Sequence, residues 1–300
     1  MPSLPSRANV LHFFQFVPIW VLVMLSSLLT PRLRGRLWSH LGGVLARMSP
    51  ELRRRVDHNL RLVMPELGPQ ERKRLTAAVG RHFALTYSEL LFNRQFGNAV
   101  GRFDMAGPGM AAVREAHATG TGCIIVSGHF GQWEAIRHVL KAQEMTCSAI
   151  YKPNRNSYFD KLYAKNIRCG GEPLFETGAA GMRALVRHLR GGGLVSLLLD
   201  QRHIKGDVLE FIGRPAFTST HFCELALRFS VPIVPAYGTR SRDGRILVDF
   251  EEPIEESDPI LMTQKINDSL TERVRKNPEQ YHWMHWRWKY ASPALDTDEG

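Results

Sequence analysis

Three hundred residues, 44% of them hydrophobic, suffice for one large core or two modest ones, and the chain reads as one α/β domain with a helical leader. Its 39 Lys and Arg against 29 Asp and Glu leave a formal charge of +10, which points to an anionic partner: a membrane surface, a phosphorylated or acidic substrate, or nucleic acid. The four cysteines, Cys123, Cys147, Cys169 and Cys223, lie far apart without a C-x-x-C pair, which argues against a zinc site or a disulfide framework and fits a reducing compartment.

Residues 13–29, FFQFVPIWVLVMLSSLL, carry no charge over 17 positions. As a helix they would span about 26 Å, a little less than a hydrocarbon core of roughly 30 Å. Gln15 and Pro18 weaken the segment, so it is expected to cross a thinned bilayer or to lie in the interface, with a buried core helix as the competing reading. Only Arg7 precedes it, whereas Arg32, Arg34 and Arg36 follow at once, a bias that places the rest of the chain in the cytoplasm. Residues 36–96 read as helical and basic, with Arg53, Arg54, Arg55 and Arg61 before Pro65 and Arg72, Lys73 and Arg74 after Pro69. These charges form either a solvated face or a surface for anionic headgroups, each then worth about 1 kcal/mol. The expected division is an anchor at 1–35, a basic helical leader at 36–100 and an α/β domain at 101–300.

From Gly101 the pattern alternates. Strands are expected near Arg102–Met105, Cys123–Ser127, Thr146–Tyr151, Leu194–Leu199, Val231–Tyr237 and Ile246–Phe250. Helices are expected at 108–118, 131–143, 157–168, 179–191, 217–229 and 259–276. Such alternation predicts an α/β fold whose mostly parallel or mixed sheet is covered by helices.

The stretch Cys123–Glu134 carries the main candidate. A buried strand breaks at Gly128, which sets His129 at its carboxyl end, where α/β sheets place their chemistry. Of the twelve histidines, His129 alone has an acid five residues on, Glu134. Glu134 is expected to turn back and hold one imidazole nitrogen, leaving the other as a general base. The competing reading is a satisfied structural histidine. Three further clusters follow strands. Lys152, Arg155 and Asn156 offer cations and an amide for a phosphate or an oxyanion, or else an ordinary polar turn on Pro153. Asp200, Gln201 and Arg202 follow a very apolar strand, so Asp200 is either a site residue or paired with a nearby Arg. Phe211–Thr218 reads as a turn leading into a helix. A P-loop is excluded because no G-x-x-x-x-G-K-[ST] is present, and Ser127 is not in a nucleophile elbow because Ile125 stands where the first glycine should.

The ordered segments GHFGQWE, YKPNRN, LLLDQR with GDVLEFIGRPAFTST, VPIVPAYGTR and PEQYHWMHWRWK resemble the bacterial lipid A biosynthesis (late) acyltransferases, within the lysophospholipid acyltransferase superfamily. The stretch RVDHNLRLVMPELGPQERKRL after the anchor agrees. The resemblance implies an O-acyltransferase of the H-x4-[DE] type, with His129 and Glu134 catalytic. It implies substrate contacts at Lys152, where the family usually has Arg, and at Asp200 and Gln201. No cofactor is implied: an acyl thioester on acyl carrier protein or coenzyme A is the co-substrate. The implied partners are anionic membrane lipid and a phosphorylated glycolipid acceptor, and the implied location is the bacterial inner membrane, with the catalytic domain on the cytoplasmic face. The C-terminal Trp283, Trp286 and Trp288 are expected either at the membrane interface or packed.

Two alternatives stand beside this reading. One is the same chemistry on a lysophospholipid, an ornithine lipid or a phosphatidylinositol mannoside. The other is a non-enzymatic membrane- or nucleic-acid-binding protein. Nucleic acid is disfavoured because the cations are not interleaved with aromatics on one face.

Overall fold

The computed structural model describes residues 7–99, 101 and 103–289. Arg102, the first residue of an expected strand, and residues 1–6 of the expected anchor lie outside them. Helix α1 (Arg7–Ser27) passes through Pro18 without ending. Within it Val10–Ser27 is long and apolar enough to cross a membrane, about 27 Å, and only 11% of that window is buried against the rest of the chain. Its inner side meets α8 (Ser157–Ile167), where Phe13 and Phe16 pack on Tyr158 with ring centroids 5.6 and 6.0 Å away.

The leader is helical as expected: α2 (Pro31–Met48), α3 (Pro50–Val63), α4 (Pro69–Leu91) and the short α5 (Asn93–Gly97). Prolines at first-turn positions start α2, α3 and α4, and the side chains of Thr30 and Ser49 cap the first two. Helices α2 and α4 pack almost backbone to backbone: a Cβ on Gly42 would lie 2.2 Å from the Gly80 carbonyl oxygen.

The main sheet has seven strands in the order β1-β9-β8-β2-β5-β3-β4. They are β1 (Phe103–Ala106), β2 (Cys123–Ser127), β3 (Cys147–Tyr151), β4 (Leu174–Glu176), β5 (Leu194–Leu198), β8 (Ile233–Arg240) and β9 (Ile246–Phe250). All neighbours are parallel except β8 and β9, so the sheet is mixed. The central β2 shows the two-residue period of a strand covered on both sides. Cys123 and Ile125 face a cluster with Met110 of α6 (Gly109–Thr119) and Ile136 and Leu140 of α7 (Glu134–Ala142). Ile124 and Val126 face Leu185 and Leu189 of α9 (Ala179–Arg190), Cys223 of α10 (His221–Phe229) and Met262 of α11 (Pro259–Lys276). Each of these buried aliphatic side chains contributes about 1.5–3 kcal/mol.

One expectation is corrected here. Phe211–Thr218 does not lead into a helix at 217. Residues Asp207–Phe211 (β6) and Arg214–Thr218 (β7) form an antiparallel hairpin, and α10 starts only at His221. Ile212 and Gly213 both have positive φ, 52° and 76°, the signature of the tight turn that matches strand twist. The hairpin joins Val56 and Leu60 of α3 and the buried Trp283 and Trp288 in one apolar cluster. Those two tryptophans are therefore packed rather than interfacial, while Trp286 is partly exposed beside His58.

Candidate active site

The register of the central strands builds the site. Ser127, the last residue of β2, lies opposite Leu198, the last residue of β5. Two residues beyond each strand end come His129 and Asp200, and the parallel pairing brings them together. Asp200 Oδ1 lies 2.8 Å from His129 Nδ1, and Asp200 Oδ2 accepts the His129 backbone N–H at 2.9 Å. A single carboxylate thus fixes both the ring and the loop it stands on. The other ring nitrogen, Nε2, has the Gln201 amide nitrogen 3.4 Å away, and the ring keeps 18% of its surface exposed.

The loop is stitched on every side. Gly131 has φ +58°, and a Cβ there would sit 2.1 Å from the Gly238 carbonyl oxygen, so the turn needs glycine. Its N–H donates to Gln280 O at 2.9 Å, and the His282 N–H donates to His129 O at 3.0 Å. The N–H groups of Phe130 and Gln132 donate to Gly128 O and Gly238 O, both at 2.7 Å. Hence the backbone donors of residues 129–132 are all committed within the fold.

Electrostatics favour an ionised Asp200 among histidines that burial keeps neutral. Burial works against its charge, but His129, with its charge and two hydrogen bonds, outweighs that and holds the carboxyl down to about 2. His282, 5.7 Å from His129 ring to ring, is pushed down to about 3, by burial first and then by His129. His285 is pushed down to about 4 by burial, and its Nε2 accepts the Arg202 backbone N–H at 3.0 Å. The Tyr281 hydroxyl is raised well above its ordinary range by burial and by Asp200. Around the dyad, then, Asp200 is the charge that answers a proton on the imidazole.

Glu134 does not hold the imidazole. As the first residue of α7 it shares a face with Arg137. Its buried carboxylate accepts Arg137 Nη1 at 2.9 and 3.1 Å and Asn93 Nδ2 at 3.2 Å. Arg137 also donates to the carbonyls of Cys147, Ile167 and Gly171, and Asn93 bonds His138 Nε2 at 2.8 Å. This buried network ties α5, α7, α8 and β3 together, and the carboxylate that orients His129 comes instead from the end of β5.

The other expected site residues divide. Asp200 and Gln201 are at His129. Arg202 is beside them, with its guanidinium donating to Lys289 O at 3.3 Å. Asn156 is structural: its Oδ1 caps α8 by accepting the Tyr158 and Phe159 N–H groups, and its Nδ2 donates to His12 O of α1 at 2.7 Å. Lys152 and Arg155 are exposed on the loop after β3, whereas the His129 ring nitrogens face Asp200 and Gln201. Sequence reasoning missed His282 and Tyr281, whose place beside His129 depends on the isolated bridge between Phe130 and Tyr281. The clustered aromatics and histidines of residues 281–288 were the available signal.

A 183-residue stretch is 24% identical to the lipid A biosynthesis acyltransferase of Haemophilus influenzae (strain ATCC 51907 / DSM 11121 / KW20 / Rd), covering 59% of this chain. The chain thus spans 56% of that relative's length. The family described as bacterial lipid A biosynthesis acyltransferase matches residues 6–290, nearly the whole length. On that match the chain belongs to the bacterial lipid A biosynthesis acyltransferases.

Proposed function

We propose that the protein is a membrane-associated O-acyltransferase that moves a fatty acyl chain from a thioester, on acyl carrier protein or coenzyme A, to a hydroxyl of a lipid A precursor. The observation that carries this reading is the His129–Asp200 dyad, with the outer ring nitrogen turned toward the Gln201 amide and a partly solvent-exposed edge. Asp200 holds the proton on Nδ1, so Nε2 is the basic nitrogen. Nε2 takes the proton of the acceptor hydroxyl as its oxygen attacks the thioester carbonyl. The tetrahedral intermediate then expels the thiolate, which leaves with that proton as a thiol, and an ester remains. Asp200 balances the transient imidazolium. The Gln201 amide, beside Nε2, is the donor best placed for the oxyanion, with the exposed Lys152 and Arg155 available to phosphate groups of the acceptor. Glu134 acts as a positioning residue that anchors the start of α7, from which the loop departs. Helix α1 holds the site at the inner membrane, facing the cytoplasm as the arginines after it favour.

The test is acyl transfer by the full chain in mixed micelles, with a radiolabelled acyl thioester and a lipid A precursor. His129→Ala should remove ester formation, by 10²–10⁴-fold, while the protein stays in the membrane fraction. Turnover retained in that variant refutes the assignment.

A further inference from the structure

A second site lies away from the dyad. A cleft of about 760 Å³ opens between the start of α2, the second half of α4 and the turn joining β8 to β9. Among the described residues five arginines and two carboxylates, Glu89 and Asp243, line it. Arg34 is 5% exposed, with its guanidinium 3.7 Å over the Phe92 ring and one nitrogen donating to Gln95 at 2.6 Å. Among the described residues its buried Nη1 has no hydrogen-bond partner, and neither does the buried Nε of Arg240 in the same cleft. Glu89 is already engaged by Arg240 and by Gln132, so it does not satisfy those donors. A buried cation left in this state calls for an anion. Burial lowers the Arg34 guanidinium, with Glu89 opposing, the shift expected of a cation short of partners.

We infer that this cleft binds the phosphate of a membrane lipid, with Arg34 and Arg240 as its fork-shaped ligands and Phe96 and Leu85 against the glycerol or acyl end. Its place favours a lipid over a free anion. The exposed apolar surface that runs along α1 ends at Leu28, just past the helix, and the cleft begins at Pro31, the depth at which headgroups meet hydrocarbon if α1 lies in a bilayer as proposed above. Arg suits the task because its planar fork matches phosphate oxygens.

The experiment is native mass spectrometry of the full chain in a neutral detergent, titrated with phosphatidic acid, phosphatidylcholine and inorganic phosphate. Phosphatidic acid should bind in preference to phosphatidylcholine. Arg34→Gln and Arg240→Gln should each weaken it about tenfold or more, and His129→Ala should leave it unchanged, which separates this site from acyl transfer. Equal binding of the two lipids overturns the proposal. So does unchanged affinity in Arg240→Gln, which reads the cleft even if Arg34→Gln fails to fold. Displacement of the lipid by equimolar inorganic phosphate overturns the assignment to a lipid.

Discussion

Asp200→Asn isolates the dyad from everything else in the fold. The amide is nearly isosteric, but it has one acceptor where the carboxylate has two. If its oxygen keeps the His129 backbone N–H, now held at 2.9 Å, its NH₂ faces Nδ1 and donates. That hydrogen bond forces the ring proton onto Nε2, the nitrogen that should receive one, and the base is lost. The substitution also removes the charge that balances an imidazolium. At a charge separation of about 4 Å and an effective dielectric near 20 that attraction is about 4 kcal/mol, or roughly a 10³-fold loss in rate. Partial solvent access to His129, 18% exposed, makes roughly 10²–10³-fold the expected range. The assay is kcat and KM for radiolabelled acyl transfer in mixed micelles, with folding monitored by near-ultraviolet circular dichroism. The predicted result is a fall in kcat with KM little changed and the fold intact. A variant that turns over within about threefold of wild type would show that Asp200 does not orient the base.

Glu134→Gln should act on stability instead. It strips the partner from a buried Arg137, a change worth about 3–5 kcal/mol, visible as a lowered denaturant midpoint, while the folded fraction keeps most of its kcat; a large kcat loss in fully folded protein would return Glu134 to the chemistry. Gly131→Ala must find room for a Cβ 2.1 Å from a carbonyl oxygen at φ +58°, so the loop should shift and activity fall at least tenfold, whereas Gly244→Ala, also at positive φ but with nothing within 4 Å, should leave turnover unchanged. Acid should unfold the protein early. Burial holds His82 and His282 near 3 and His138 and His285 near 4. The unfolded chain therefore takes up more protons below pH 6.5, and the stability present above that pH is lost at up to about 1.4 kcal/mol per pH unit for each histidine. Asp200 adds a further loss only as pH falls from about 4 to about 2. Denaturant midpoints that do not change between pH 7 and pH 5 would contradict those buried neutral histidines.

The fold was legible wherever one local signal sufficed. Helix α11 is found at the residues expected of it because Asp258 caps it and Pro259 opens it. Strands β2 and β9 likewise match, because short runs of β-branched residues have no helical reading that fits their length. Strand β4 was missed because three residues show no period. The hairpin was missed because its turn is Ile-Gly rather than Asn-Gly, and because Pro215 reads as a break although it is tolerated in this two-stranded ribbon. At the site, His129 was found from its place after a strand, and Asp200 was recognised as a carboxylate too costly to leave unpaired. What no local window shows is that β2 and β5 are neighbours in register. Glu134, five residues away, seemed the nearer partner, yet Asp200, 71 residues on, makes the contact.

The mass of lipid A tests the central claim most directly. In a strain lacking this chain, lipid A should be one acyl chain lighter, and a plasmid carrying the wild-type sequence should restore the missing mass. The same plasmid carrying His129→Ala, expressed to the same level in the membrane fraction, should leave the lighter species in place. Restoration by the alanine variant, or an unchanged lipid A with the loss appearing in another lipid, would contradict the account.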